Sequence, residues 1–410
     1  MIKKIKLGDV LDVKRGMSLS GDYYSTTGKY VRLTLGNFSY PDSGWKYNSS
    51  KSDLFFIGPI KKEYILSKGD IVTPLTEQVR GLLGNTATIP ESDKYIQSGD
   101  VGLIVPKSTL IDKRFVYYLV SSPIVKKQLD AGSQQTKIRH TSPDAIKNCI
   151  AFVPASIEEQ GKIAKLLDDI NSKISLNNAI NDNLQQLIRM IYEQWFLQFR
   201  LLDPKPNLVM CKELGRKIPE GWRFDKLKNV TELFLGGTPN TKNSEYWNGD
   251  ISWLNSGEVA QFPVVESELN ITKSGMNNSA TKLLPVNTSV ISITGNIRCS
   301  ITAIETCANQ SVVGVLESDS VHTSYLYQNL CDLINRYVKM STGNCQQHIN
   351  KKTIEETYIL IPPTDILEKY YNTVDLMYEK MIKAGLENKR LLDIKNRLLP
   401  LLLNGQVIVR

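Results

Sequence analysis

The segment KLGDVLDVKRG at 6–16 returns as KLKNVTELFLG at 226–236, with Lys6, Leu7, Val10 and Gly16 falling on Lys226, Leu227, Val230 and Gly236. The correspondence continues. YVRLTLGNF (30–38) lies on ISWLNSGEV (251–259), Gly36 on Gly257. ILSKGDIVTPLTEQVRG (65–81) lies on LLPVNTSVISITGNIRC (283–299), where Val72 meets Val290, Thr76 meets Thr294 and Arg80 meets Arg298. QSGDVGL (97–103) falls near QSVVGV (310–315), and GSQQTKI (132–138) is answered by GNCQQHI (343–349), Gly132 on Gly343. The separation between partners shrinks along the chain, as it does in diverged copies carrying small insertions; chance likeness scatters. The chain must therefore build one architecture twice.

Each copy has two parts. The first holds short β-rich runs such as GDIVTPL, VGLIVP, SVISITG and CIAFVP, separated by Gly, Pro, Asn and Ser clusters, with a helical piece near DKRFVYYLVSS. The second is a long helix. In the first copy Ile163, Leu167, Ile170, Ile174, Asn177, Asn181, Leu184, Ile188, Ile191 and Trp195 step alternately by four and three. Leu367, Tyr370, Val374, Met377, Met381, Ala384, Asn388 and Leu391 keep the same rhythm in the second, with Pro400 expected to end it. A sustained period of 3.5 favours a helix partner over packing on the helix's own domain. Ser156 opens S-I-E-E as a capping box, and Asp365 offers a cap for the second helix. Asn177, Asn181 and Asn388 interrupt the seams, where asparagine either fixes register or marks a wet, loose segment.

The expected fold is α+β: two pseudo-symmetric globular domains separated by two long antiparallel coiled-coil helices, an internal two-fold repeat. The segments are 1–155 (first domain), 156–200 (first helix), 201–364 (linker and second domain) and 365–410 (second helix and tail). From Ile163 to Trp195 a helix runs roughly 50 Å. Such a rod would hold two heads at its opposite ends, about 14 base pairs apart on a duplex.

Composition narrows the function classes. The 410 residues carry a net charge of +8, a mild excess that suits an anionic partner. Six cysteines without a C-x-x-C pair and three histidines (His140, His322, His348) do not make a zinc site of ordinary spacing, so no metal site is expected. The opening MIKKIKLGDVLDVKRG has no apolar core of a signal segment, and no apolar run reaches a membrane span, so a cytoplasmic protein with no membrane partner is expected. GDYYSTTGKY (21–30) has the wrong spacing for a phosphate loop, the only Pro-Pro is Pro362-Pro363, and no acidic pair with a spaced E-x-K appears. No catalytic residue is expected; a stand-alone methyltransferase or nuclease is the enzyme alternative, and a two-headed scaffold that never touches DNA is the other.

The repeat, the GSQQTKI and GNCQQHI passages, and the strand-to-helix passages 149–174 and 358–381 together resemble the specificity (S) subunit of type I restriction-modification systems. So do the junction YEQWFLQFR with KELGRKIPEGWRFDKL (212–227) and the closing NRLLPLLLNGQV. The likeness spans essentially the whole chain. It implies two target recognition domains, each reading one part of a split double-stranded DNA site, and two conserved helical regions that set the gap and bind two modification (methyltransferase) subunits. It also implies two restriction subunits. S-adenosylmethionine, ATP and Mg would be used by those partners, with no cofactor bound by this chain. The second copy departs from the pattern: PPTDILEKY stands where SIEEQGK stands in the first, and Gly385 sits inside the helical pattern.

Candidates for DNA contact are polar residues in matched positions after strands: Thr76, Gln78 and Arg80 against Thr294, Asn296 and Arg298. Arginine forks to guanine and Gln or Asn pairs with adenine, but equal arginines in two heads reading different sequences argue for phosphate positioning. Lys14, Arg15, Arg32, Lys46, Lys242, Lys282, Arg139 and Lys351 are further basic candidates, and Tyr23, Tyr24, Trp45, Tyr246, Trp247 and Trp253 are aromatic ones that either stack on bases or pack internally. The coiled-coil core is read as Ile163, Leu167, Ile170, Ile174, Leu184, Ile188, Ile191 and Trp195 with Leu367, Val374, Met377, Met381 and Leu391.

Overall fold

The computed structural model describes residues 2–40, 42–107, 109–132, 139–341 and 348–409. The pairs Gln134-Gln135 and Gln346-Gln347 therefore lie outside the described residues. The chain divides into two compact units, Met1–Ser172 with Leu392–Arg410, and Lys173–Leu391.

In the first unit, β1 (Ile2–Lys6) and β2 (Leu11–Arg15) are followed by β3 (Ile71–Pro74), β4 (Thr76–Glu77), β5 (Ala87–Thr88) and β6 (Val101–Pro106). Helices α1 (Lys113–Val120) and α2 (Pro123–Gly132) come next, then β7 (Arg139–His140), α3 (Pro143–Asn148), β8 (Ile150–Pro154) and the start of α4 (Ile157–Tyr192). Strand β3, Ile-Val-Thr-Pro, is buried on both faces, so its burial is continuous instead of alternating. Asp112 starts α1 by accepting the backbone N–H groups of Arg114 and Phe115, and the helix lays Phe115, Val116, Leu119 and Val120 into the core.

The second unit repeats this order. It contains β9 (Arg223–Lys226), β10 (Leu233–Leu235), β11 (Ser289–Ser292), β12 (Cys299–Ile301) and β13 (Val312–Val315). These are followed by α5 (Thr323–Met340), α6 (Lys351–Glu355), β14 (Tyr358–Ile361) and α7 (Thr364–Leu403). One four-stranded sheet runs β2-β6-β3-β5 and the other β10-β13-β11-β12. The register agrees residue by residue. Lys14 lies opposite Leu103, Leu103 opposite Val72, and Val72 opposite Ala87. Phe234, Gly314, Val290 and Ser300 line up the same way. Lys6 pairs with Ile150 and Lys226 with Tyr358.

The long helices supply core in each unit. Ile163 and Leu167 of α4 join Leu399, Leu402 and Leu403 of α7 in the first. In the second, Ile188 and Tyr192 of α4 pack with Leu367, Tyr370, Val374 and Met381 of α7. The helices run antiparallel there, since Asn177 meets Glu387 and Asn388 while Asn181 meets Met381. Each fully buried leucine or isoleucine contributes about 1.5–3 kcal/mol.

Four details differ from the sequence expectation. Helix α7 starts at Thr364, so Asp365 lies in its first turn instead of capping it. Pro400 does not end α7: it sits in the last turn, where the missing N–H removes a single helical bond, and the helix continues to Leu403. Trp195 is half-buried on a π-turn, Glu193–Leu197, which rotates the apolar face so that Tyr192 and Phe196 fill the core. In α7 the buried step from Val374 is to Tyr378, with Met377, like Leu391, only half-buried. The reason is that Tyr378 faces the domain: its hydroxyl accepts from Gln328 Nε2 at 2.8 Å and its ring meets Tyr327 edge-on. The apolar stripe thus serves a partner helix and a domain at once, which widens it beyond a two-residue seam.

Gly385 does not break α7. A Cβ there would come within 2.6 Å of Pro263 Cγ, so this glycine lets the Phe262–Pro263 segment lie against the helix.

Candidate nucleic-acid interface

In the first unit β4 and β7 pair, with His140 opposite Thr76 and Arg139 opposite Glu77. Glu77 is 1% exposed. Its Oε2 accepts the backbone N–H groups of Gly81, Leu82 and Leu83 at 3.0, 2.8 and 2.9 Å. Its Oε1 lies 3.0 Å from Arg139 as an ion pair without hydrogen-bond alignment. This buried carboxylate curls the chain back, helped by the positive φ of +101° at Gly81, and pushes Gln78, Val79 and Arg80 into solvent.

Arg80 grips Asp130 with two bonds, Nε to Oδ1 at 3.2 Å and a terminal nitrogen to Oδ2 at 2.7 Å, although 78% of its side chain remains exposed. Arg139 donates to the same carboxylate at 2.6 Å. Hydrogen bonds from Arg80 and then Arg139 hold the Asp130 carboxyl down to about 2. The group Glu77, Arg139, Asp130 and Arg80 is therefore balanced in charge, a preformed arginine fork more than a cationic patch. Tyr40, itself exposed, donates from its hydroxyl to Arg80 O at 3.0 Å.

The second unit repeats the frame with different side chains. Thr294 bridges His348, and its Oγ1 lies 3.1 Å from His348 Nδ1. Ser292 Oγ donates to Asn296 O at 2.7 Å and accepts from Arg298 N–H at 2.9 Å, and Gly295 turns the loop at φ +76°. Asn296 and Arg298 are exposed. Among the described residues Arg298 makes no ion pair.

The remaining candidates scatter. Lys14 and Arg15 are exposed at the end of β2, where Arg15 donates to Thr141 O at 3.3 Å. Lys46, Lys242 and Lys282 are exposed, Lys282 lying over the Phe234 ring, and Lys351 pairs with Glu355 along α6. Two candidates are corrected. Arg32 is 6% exposed, packed 3.7 Å from the Tyr24 ring centroid and bonded to Asp53, so it braces the domain interior. Thr76 is 7% exposed, held in the β4–β7 ladder. Trp253 and Trp247 pack edge to face, and their indole N–H groups donate to Gly237 O and Asn240 O.

A second surface lies on α4 in the second unit. Leu176, Ile180, Leu187 and Met190 are exposed and follow the spacing of a second heptad stripe, beside the buried Asn177, Asn181 and Ile188. An exposed apolar row of this kind marks an interaction face.

Sequence reading missed the histidines. Matching Gly132 to Gly343 hid the fact that His140 and His348 occupy one position, because the two intervening passages differ in length; only strand register shows it.

The model of a family described as type I restriction modification DNA specificity domain matches residues 2–186 and 219–388, one match per copy. The specificity subunit of the type I restriction enzyme HindI of Haemophilus influenzae is 22% identical, covering 85% of this chain and 89% of that protein. The MjaIX specificity subunit of Methanocaldococcus jannaschii is 24% identical over 75% of this chain and 71% of its own length. Among solved structures, the S subunit of a type I restriction-modification system from M. genitalium superposes with a TM-score of 0.56 at 15% identity, covering 98% of this chain and 96% of that one. Among the described residues no helix is long and apolar enough to cross a membrane.

Proposed function

We propose, because the chain belongs to the type I restriction modification DNA specificity family, that its two copies read the two halves of a bipartite DNA site and deliver partner enzymes to it. The observation that carries this reading is the duplication itself. The same sheet order, register and exposed polar loop recur, while Gln78 in one copy is Asn296 in the other, and Arg80 is bound to Asp130 where Arg298 makes no ion pair among the described residues. One frame with two sets of exposed side chains suits two different half-sites.

The chain acts as a non-catalytic subunit. Two modification subunits dock on the helical regions, and the exposed stripe of Leu176, Ile180, Leu187 and Met190 offers one of them an apolar face. Those partners bring S-adenosylmethionine to an adenine in each half-site; restriction subunits, joined to the same core, use ATP and Mg to cleave unmodified DNA. Helices α4 and α7 set the number of base pairs between the half-sites.

Methylome sequencing of cells with and without this chain tests the reading. The expected result is a split adenine-methylated motif that disappears with the chain; an unchanged methylome overturns it.

A further inference from the structure

Two of the three histidines in the chain occupy one structural position in the two copies. His140 lies opposite Thr76 in a β-ladder, and His348 is bridged to Thr294. The residue after each histidine is buried and pins it. Thr141 N donates to Leu75 O at 2.8 Å, and Ile349 N donates to Ile293 O at 3.0 Å. One residue further on, Ser142 and Asn350 cap the short helices α3 and α6. Both histidines are nevertheless exposed, next to the loops that present Arg80 and Arg298. The third histidine differs: His322 is stacked on Tyr371 and bonded to Asp375, committed to its own domain.

Packing does not explain the shared choice, since an exposed position on a short bridge tolerates many side chains. We infer that His140 and His348 are a matched pair of DNA phosphate contacts, one per recognition domain. This inference rests on the DNA-reading function proposed above. In the second copy Thr294 Oγ1 lies 3.1 Å from His348 Nδ1; in the tautomer in which Nδ1 accepts from that hydroxyl, Nε2 carries the ring proton and is a donor for a phosphate oxygen. Thr76 takes the corresponding place opposite His140 in the ladder. One residue type shared by two heads that differ at Gln78 and Asn296 carries no sequence choice, so the pair sets register on the duplex and leaves base reading to its neighbours.

The test uses the assembled modification complex with a duplex carrying its bipartite site. His140→Ala and His348→Ala should each weaken binding by about threefold to tenfold, equally on the cognate duplex and on duplexes with one base pair changed. His348→Gln, whose amide N–H reaches where Nε2–H stood, should recover most of the loss. A neutral methylphosphonate at the contacted phosphate should weaken the wild-type complex and leave the alanine variant unaffected. Melting temperatures equal to wild type show that the variants fold. Alanine variants that bind like wild type, or that lose the preference for the cognate site, overturn the inference. A wild-type complex with no preference for any duplex overturns the DNA reading beneath it, and the pair with it.

Discussion

Asn177 of the first long helix donates to Asn388 Oδ1 of the second at 2.9 Å, and the same amide donates to Glu387 Oε2 at 2.7 Å. Asn388 in turn donates to Asn178 Oδ1 at 2.8 Å. Asn177 is 2% exposed, so this polar knot lies in the helix seam and has partners in only one axial alignment. Lys173 adds an ion pair to Glu387, and together Asn177 and then Lys173 hold that carboxyl below its usual range.

Removing the buried Asn177 amide takes away its hydrogen bonds to Glu387 and Asn388 and empties its place in the seam. Asn177→Ala is expected to destabilise the chain by about 1–3 kcal/mol in denaturant unfolding. The Asn177→Ala and Asn388→Ala pair should be non-additive by at least about 0.5 kcal/mol in a double-mutant cycle. Additive losses would mean that the two amides act separately.

Gly385 tests close packing against helix propensity. Alanine at an exposed helical glycine ordinarily adds about 1 kcal/mol of stability. Here its Cβ would meet Pro263, so Gly385→Ala should instead lose about 1–3 kcal/mol, read as a lowered melting temperature.

The Arg80–Asp130–Arg139 cluster has a pH signature. The Asp130 carboxyl is lower in the folded chain than in the unfolded one, so its contribution is complete above the ordinary carboxylate value and is lost as pH falls through about 2. The stability gap between wild type and Asp130→Asn should close as pH drops from about 4 to about 2. A gap independent of pH over that window would place the stabilisation elsewhere.

The exposed stripe on α4 separates docking from folding. Leu176→Glu with Leu187→Glu should change the stability of the isolated chain by no more than about 0.5 kcal/mol and abolish co-purification with the modification subunit. Retained co-purification would move the docking face to other residues.

Much of this was legible in the sequence, for identifiable reasons. The duplication and the long helices leave periodic or positional signals, and Ile163, Leu167, Ile188, Leu367, Val374 and Met381 fall on a buried face because heptad spacing reports burial on any packed helix. The same spacing could not tell a helix partner from a domain partner, so Tyr378, which faces α5, was missed and Met377 was given its place. The π-turn at Glu193–Leu197 shifts the face by a fraction of a turn and leaves no signal in a fixed period. In the candidate site, matched loops were visible but partners were not. Nothing in residue order says that Arg32 turns inward to Asp53 or that Asp130 waits beside Arg80.

The proposed ruler role of the helices is tested by lengthening them. One heptad inserted into α4 between Asn177 and Asn181, with a matching heptad in α7 between Met381 and Asn388, extends the pair by about 10 Å while keeping every seam contact in phase. Selecting preferred sites from duplexes with randomised spacers should then return the same two half-sites separated by about three more base pairs. Unchanged spacing with both half-sites still read would contradict the assignment of that distance to the helices.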